Sequence, residues 1–242
     1  MLVDVRWSFE EPTADLIVLV DALRSSATIA GALSHGAKRV FVEEAPEKAL
    51  AYKNAVKAGE RSGLMLKGFD ATNSPTQILK LLKRGKDLVL CSGNFSTVLP
   101  NYIMNKVAVA SLVNAKALAA FVKKKKFKTL CFVAVGTFFY GGRKLDKPFK
   151  TLEDHIACLY LAKRMEGAQF SEKALKLFDK YSQVLEDAKR MLSFMKDSKY
   201  ARYLMEIDKT NSSDIQTCFK ENTFPVVPIL RKAGNKYYFE KA

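Results

Sequence analysis

Short apolar runs, each followed by a turn and then a helical pattern, recur along the chain, and this alternation constrains the fold more than any other feature. The strand-like runs are Leu2 to Trp7, Asp15 to Val20, Arg39 to Val42, Leu88 to Cys91, Val107 to Ala110, Thr129 to Val135 and Lys236 to Phe239. Helical patterns cover Ala27 to Ser34, Pro46 to Ala58, Thr76 to Arg84, Ala115 to Lys124 and Leu152 to Arg164. Strand, turn and helix in succession argue for an α/β class. From Glu166 to Asp208 the pattern becomes continuously helical and charge-rich, with Ala174, Leu175, Phe178, Tyr181, Leu185, Met191 and Met195 at amphipathic spacing. Two or three helices packed on the sheet are expected there, with Met191 and Met195 filling gaps. No linker rich in Pro, Gly or Ser separates this stretch, so residues 1–242 are read as one domain.

A chain of 242 residues that is 48% hydrophobic can bury a substantial core. No apolar run approaches the roughly 18 residues needed to cross a bilayer. The start, Met1-Leu2-Val3-Asp4-Val5-Arg6, lacks a signal peptide's apolar stretch, so a soluble cytoplasmic protein is expected. Cys91, Cys131, Cys158 and Cys218 form no C-x-x-C pair and are expected as buried reduced thiols. His35 and His155 are too few for a histidine-rich centre, so a metal would rely on carboxylates, which suits Mg²⁺. The net charge of +15 favours anionic partners. Its one dense run, Lys123-Lys124-Lys125-Lys126-Phe127-Lys128, lies at a helix end, where lysines complement the dipole, and reads as a solvated connection. Neither a nucleic-acid motif nor a stacking array is present, which argues against a DNA or RNA partner.

Several strand ends carry small polar residues that can converge on one pocket. In Asp21-Ala22-Leu23-Arg24-Ser25-Ser26-Ala27-Thr28, Asp21 can hold a metal and Arg24 a phosphate, because a helix starting beyond a strand turns its N–H groups toward an anion. The alternative is an ordinary turn in which Ser25 or Ser26 caps the helix. Gly59-Glu60-Arg61-Ser62-Gly63 offers a guanidinium fork for phosphate, sulfonate or carboxylate, with Glu60 binding a cation or orienting Arg61; a local exposed ion pair is the other reading. In Gly68-Phe69-Asp70-Ala71-Thr72-Asn73-Ser74-Pro75, Ser74 and Pro75 start a helix, which leaves Asp70 and Asn73 for chemistry. Ser92-Gly93-Asn94-Phe95-Ser96-Thr97 can cradle an oxyanion or form a hydrogen-bonded turn. Thr151-Leu152-Glu153-Asp154 is helix-start chemistry that accounts for both acids without a function. Asn114 reads as a helix cap, His155 as a surface or cap-region side chain, and His35 as marking a helix end.

The common phosphatase and nucleotide signatures are missing. Six residues after Cys91 stands Thr97 where a cysteine phosphatase needs Arg, and Asp21 is followed by Ala22 and Leu23 rather than completing D-x-D. No Arg-His-Gly, G-x-x-x-x-G-K-[ST] or G-x-G-x-x-G motif occurs.

Taken in order, Val20-Asp21-Ala22-Leu23-Arg24, Gly59-Glu60-Arg61, Gly68-Phe69-Asp70 with Asn73-Ser74-Pro75, Asn94, Gly136-Thr137 and Glu153-Asp154 resemble the 2-phosphosulfolactate phosphatase family. Asp214-Ile215 with Cys218, and Val226-Val227-Pro228, look like its C-terminal segment. The resemblance implies a layered α/β/α fold with a mixed sheet. It also implies a Mg²⁺-dependent hydrolase that converts (R)-2-phospho-3-sulfolactate to 3-sulfolactate and phosphate on a route to coenzyme M. Asp21, Glu60, Asp70, Glu153 and Asp154 are then the metal candidates, Arg24 and Arg61 grip the anions, and Asn73 and Asn94 donate hydrogen bonds. Ser25, Ser26, Ser92 and Ser96 complete the expected substrate pocket. Departures from the family are Ser25-Ser26-Ala27-Thr28 in place of Ala-Thr-Ser-Thr, and Phe95 in place of a small Gly, a ring expected to narrow the pocket. Two alternatives are a non-catalytic relative that binds an anionic metabolite and a basic nucleic-acid-binding protein. A homodimer is expected because cyclic dimers are the commonest soluble assemblies.

Overall fold

The computed structural model describes residues 1–140, 143–186 and 188–242. Its strands are β1 (Leu2–Trp7), β2 (Leu16–Val20), β3 (Val40–Val42), β4 (Ala55–Arg61), β5 (Leu64–Met65), β6 (Asp87–Cys91), β7 (Val107–Val109), β8 (Thr129–Ala134), β9 (Thr137–Tyr140), β10 (Arg143–Phe149), β11 (Gln169–Phe170), β12 (Pro228–Ala233) and β13 (Lys236–Lys241). The helices are α1 (Ser25–His35), α2 (Pro46–Leu50), α3 (Pro75–Leu81), α4 (Phe95–Val98), α5 (Ala115–Lys125), α6 (Leu152–Ala162), α7 (Glu172–Lys180), α8 (Ser182–Glu186), α9 (Ala188–Lys196), α10 (Lys199–Ile207) and α11 (Asn211–Cys218).

One sheet runs in the order β11-β1-β8-β2-β7-β12-β13-β3-β6-β4-β5, and β9 and β10 form a separate hairpin. β1, β8, β2 and β7 are parallel, as are β3, β6 and β4. The β12–β13 hairpin joins the two parallel groups, antiparallel to β7 on one side and to β3 on the other. The sheet is therefore mixed, as expected: the last hairpin brings antiparallel pairs into its middle, and β5 adds one at its edge beside β4. β2 is buried along its whole length and serves both faces, as a strand covered on two sides must. Leu16, Val18 and Val20 enter the core under α5, α6 and the later helices, whereas Ile17 and Leu19 enter the core around α1 and α3. Helices thus cover both faces in an α/β/α arrangement.

α1 explains how distant strand ends meet. Ser25 through Leu33 are all buried, and the helix packs against β3, β7, β12 and β13. A helix enclosed on every side needs no polar stripe, which fits its run of small and apolar residues. Along the order β2-β7-β12-β13-β3-β6 a flat sheet would hold β2 and β6 about 24 Å apart at the usual strand spacing. Instead, Leu19 of β2 and Leu90 of β6 line one core and Ser25 reaches Ser92, so the sheet wraps around α1.

Two expectations are corrected. The helix expected over Pro46 to Ala58 ends at Leu50; Asn54 turns the chain at φ 59°, and Ala55–Arg61 pairs parallel with β6. Alanine and lysine there suit a helix, but tertiary pairing overrides the weak local preference. Gly59 lies flat beneath Phe69, whose ring an added Cβ would meet at 2.4 Å. Among the described residues the segment from Glu166 to Asp208 is not continuously helical: it opens with β11 alongside β1 and then holds four helices, α7 to α10, rather than two or three. Met191 and Met195 are buried, as expected. The four cysteines are buried and free, and the Lys123 to Lys126 stretch is exposed. Among the described residues no helix is long and apolar enough to cross a membrane.

Candidate active site

β2, β4, β6 and β8 each deliver a polar residue at or just past their carboxyl ends: Asp21, Glu60, Ser92 and Thr137. The start of α6 adds Glu153 and Asp154, and all six are buried. Asp21 Oδ2 accepts the Ser25 hydroxyl at 2.6 Å, and Oδ1 accepts the Ser25 N–H at 3.3 Å. The free N–H at the start of α1 therefore serves Asp21 itself. Ser25 Oγ also receives Asn73 Nδ2 at 2.8 Å and lies 3.4 Å from Ser92 Oγ, which links three loops in one chain of polar contacts. Neither serine caps α1; Arg24 occupies that position, and Ser26 Oγ instead accepts the Asp21 N–H at 3.0 Å.

Asp154 and Glu60 fasten the loops. Asp154 Oδ1 accepts the Ala22 N–H at 2.7 Å, while Oδ2 accepts the Gly136 N–H at 2.9 Å and the Thr151 hydroxyl at 2.7 Å. Glu60 accepts the Gly93 N–H on one oxygen at 2.8 Å and the Gly63 N–H on the other at 2.7 Å. Asn94 Oδ1 similarly accepts the Phe138 N–H at 2.8 Å. Burial and mutual repulsion keep the acidic group short of full ionisation. Asp21 is pushed up to about 8 by burial, by Asp154 and by Glu60, against the pull of Ser25. Burial pushes Glu153 to about 7, with Asp21 adding to the rise, and burial together with Glu153 pushes Asp154 to about 7.

The two guanidinium groups differ in how their charge is balanced. Arg24 is buried, and its Nη1 donates to Asp214 Oδ2 at 2.6 Å and to Asn211 Oδ1 at 2.8 Å. Arg61 donates to the carbonyls of Glu60, Cys91 and Glu44 and lies over the Phe139 ring at 5.3 Å. No carboxylate among the described residues lies within ion-pair distance of it, so Arg61 keeps an unbalanced positive charge beside Gly93. Asn73 Oδ1 and Thr137 Oγ1 are buried polar atoms with no partner among the described residues, as expected of groups that await a ligand or water.

The profile of the family described as 2-phosphosulpholactate phosphatase matches residues 6–233, nearly the whole chain. A probable 2-phosphosulfolactate phosphatase of Thermotoga maritima is 30% identical over 215 residues, covering 88% of each chain. One of Clostridium tetani is 29% identical over 218 residues, again 88% of each. One of Clostridium perfringens is 30% identical over 221 residues, 88% of this chain and 84% of the relative. The chain belongs to the 2-phosphosulfolactate phosphatase family. That family consists of phosphomonoester hydrolases.

Family membership makes the exceptions informative. Asp70 stands apart from the buried carboxylates: it is exposed, and its Oδ2 accepts the Lys57 N–H at 2.8 Å, a turn contact beside β4. The Ser26 and Ser96 hydroxyls are spent on nearby backbone, Ser96 Oγ accepting the Ser92 N–H at 3.0 Å, which is the local bonding short hydroxyl side chains favour. Phe95 does not narrow the phosphatase pocket; its ring is fully buried in the core against Phe239. Thr151 is the residue preceding α6, but its hydroxyl donates to Asp154 rather than capping the helix, and the two acids after it are buried. His155 is no surface residue: it is buried 4.5 Å from the Trp7 ring, and burial with Lys173, Lys150 and Lys180 lowers it to about 4. Ser74 accepts the Gln77 N–H as the cap of α3 and His35 ends α1, both as expected; Asn114 stands at the position before α5, but its side chain does not cap that helix and instead accepts the Ser111 N–H and donates to the Val109 and Val226 carbonyls.

The sequence assigns no role to three residues at this site, although Asp214 lies in the segment that resembles the family's C-terminal part. Asn211 and Asp214 of α11 hold Arg24, and Asp214 Oδ1 also accepts the hydroxyls of Ser74 and Thr76 at 2.8 and 2.6 Å. Tyr200 of α10 is buried facing Glu60, Arg24, Asp21 and Glu153, and burial with these carboxylates raises its hydroxyl well above its ordinary range. α10 closes onto the β4–β5 turn, where Tyr203 donates to the Ser62 carbonyl at 3.2 Å and Leu204 packs on Gly63. The later helices therefore cover the carboxylates as well as filling the core.

Proposed function

We propose that the chain hydrolyses the phosphomonoester of 2-phosphosulfolactate, or of a closely related small 2-phospho-hydroxyacid, with the help of Mg²⁺. The observation that carries this reading is the burial of Asp21, Glu153 and Asp154 together, with raised proton affinities, beside two guanidinium groups. Protein-only metal cages are absent: among the described residues no three acidic, imidazole or thiol side chains are arranged to hold an ion. Mg²⁺ does not require one, because it is commonly held by one or two carboxylates together with substrate oxygens and waters. The donors are hard oxygens, and the raised carboxylates mark an excess of buried negative potential, so the site fits a small divalent cation. Asp21 and Glu153 would hold it: Asp154 and Glu60 each tie two separate loops together through backbone N–H groups, whereas Asp21 is engaged only by the neighbouring Ser25.

When bound, Mg²⁺ would neutralise charge on the phosphoryl group. The protein's own part is placement and charge, which dominate phosphoryl transfer. Arg61 offers its unbalanced charge to an anionic oxygen. Arg24, fixed by Asp214 through Nη1, keeps Nε and Nη2 without hydrogen-bond partners among the described residues and can present them to the ester. Asp154 ties the loops after β2 and β8 together and so sets where Asp21 stands. Tyr200 and α10 cover the carboxylates from one side. Asn73 Oδ1 and Asn94 complete the polar lining. The test is phosphate release from a panel of 2-phospho-hydroxyacids with Mg²⁺ and with chelator. Metal-dependent release supports the reading. No release from any ester overturns it in favour of a relative that only binds anions.

A further inference from the structure

A cavity of about 420 Å³ opens beside Glu153, walled by β9, the end of β10, the start of α6 and helices α9 and α10. Phe149, Leu152, Phe194 and Tyr200 make much of its wall, and Thr137, Lys150, Lys199 and Arg202 bring polar and cationic groups to it. At about 30 Å³ per water, it has room for a three-carbon acid with a bulky anionic substituent and several waters.

We propose that this cavity receives and selects the second anionic group of the phospho-acid, with Lys150 and Arg202 as its cations and the Thr137 hydroxyl as its donor. The inference rests on the proposed phosphatase reading and names the part of the site that sets its substrate. Lys150 and Arg202 have no ion-pair partner among the described residues. Lys150 lies over the rings of Trp7 and Phe9 at 5.7 and 5.9 Å, which places its ammonium without neutralising it. Lys199 lies over the Phe149 ring at 5.4 Å on the same rim. The opposing acids on the wall are Glu153 and Asp197, so cations outnumber them. Thr137 is 2% exposed, and its Oγ1 is one of the unpartnered buried polar atoms. Its position is fixed by Gly136, at φ 78°, where an added Cβ would stand 2.8 Å from the Phe149 carbonyl.

This arrangement suits a sulfonate. Such a group is permanently ionised and presents three acceptor oxygens, which one hydroxyl and two cations can share. Apolar walls strengthen the attraction by lowering the local dielectric. Glu153 borders both the cavity and the buried acidic cluster, so an ester whose phosphate reaches the cluster extends its other acid group into the cavity.

Two measurements test the proposal on the intact protein. The first is the ratio of kcat/KM for 2-phosphosulfolactate to that for 2-phospholactate, which has a methyl group where the substrate has its sulfonate-bearing carbon. It is compared among wild type, Lys150→Ala, Arg202→Ala and Lys124→Ala, the last an exposed lysine of α5. The second is calorimetric binding of 3-sulfolactate. The ratio is expected to fall at least about tenfold in each cavity variant and to stay put in Lys124→Ala, with 3-sulfolactate binding weakened in parallel. An unchanged ratio with unchanged 3-sulfolactate binding overturns the assignment, as does a wild type that binds no 3-sulfolactate. If wild type releases no phosphate from either ester, the phosphatase reading fails by itself, and loss of 3-sulfolactate binding in the cavity variants still decides this one.

Discussion

Arg24 and Asp214 form an ion pair in which each side chain is at most 3% exposed. Removing one member of such a pair leaves the other charged and desolvated, so Asp214→Ala is expected to cost about 3–5 kcal/mol in urea unfolding. Asp214→Asn keeps an acceptor for Arg24 and should cost clearly less; equal losses would mean that packing, not charge, is what matters there. Asp21 and Arg24 were legible as candidates because they sit together just beyond an apolar strand. Asp214 stood out only as part of a family-like segment; its role was not legible, because it reaches Arg24 from 190 residues away, a partnership no local pattern encodes. Asp70 misleads for the opposite reason: its neighbours look like site residues, yet its carboxylate only closes a turn on Lys57.

At the scale of elements, the strand-to-loop junctions do the positioning. Gly136 has a left-handed φ and stands where an added Cβ would meet the Phe149 carbonyl oxygen at 2.8 Å, and its N–H holds Asp154. Gly136→Ala is expected to destabilise by about 1–3 kcal/mol and to cut turnover beyond what the loss of folded protein explains. Thermal unfolding and kcat measured on the same preparation would show this; full activity in the folded fraction would contradict it. Ser74→Ala removes the cap of α3 and a bond to Asp214, and should cost about 1–2 kcal/mol. The β2–α1 unit was legible because a fully apolar run and a small-residue helix follow directly on each other. β4 was not, because its alanines and lysines suit a helix and only pairing with β6 and the Phe69 ring over Gly59 make it a strand. The cover provided by α10 was likewise hidden, since an amphipathic helix shows its buried stripe but not what that stripe lies upon.

For the whole molecule, the raised carboxylates tie stability to pH. Below the ordinary carboxylate range Asp21, Glu153 and Asp154 are protonated whether folded or not; above it the folded protein keeps protons that the unfolded chain has released, so they favour the fold less as pH rises. His155, lowered from 6.5 to about 4, acts the other way until about pH 6.5, where it is neutral in both states. From there to about pH 8 the carboxylates dominate, and the metal-free protein is expected to lose stability across that window, while Asp21→Asn flattens the loss. Melting curves at pH 6.5 and 8 in chelator test the slope. Added Mg²⁺ should raise the melting temperature more at pH 8, where its ligands are ionised, than at pH 6.5. The α/β class was legible in the alternation of strands and helices. The wrapping of the sheet was not, because it depends on the last hairpin entering between two parallel groups. The most direct test of the account is phosphate release from 2-phosphosulfolactate by wild type, Asp21→Asn and Asp70→Asn, each with Mg²⁺ and with chelator. The account predicts metal-dependent release that Asp21→Asn abolishes and Asp70→Asn retains; release that survives Asp21→Asn, or that is lost in Asp70→Asn while the protein stays folded, would contradict it.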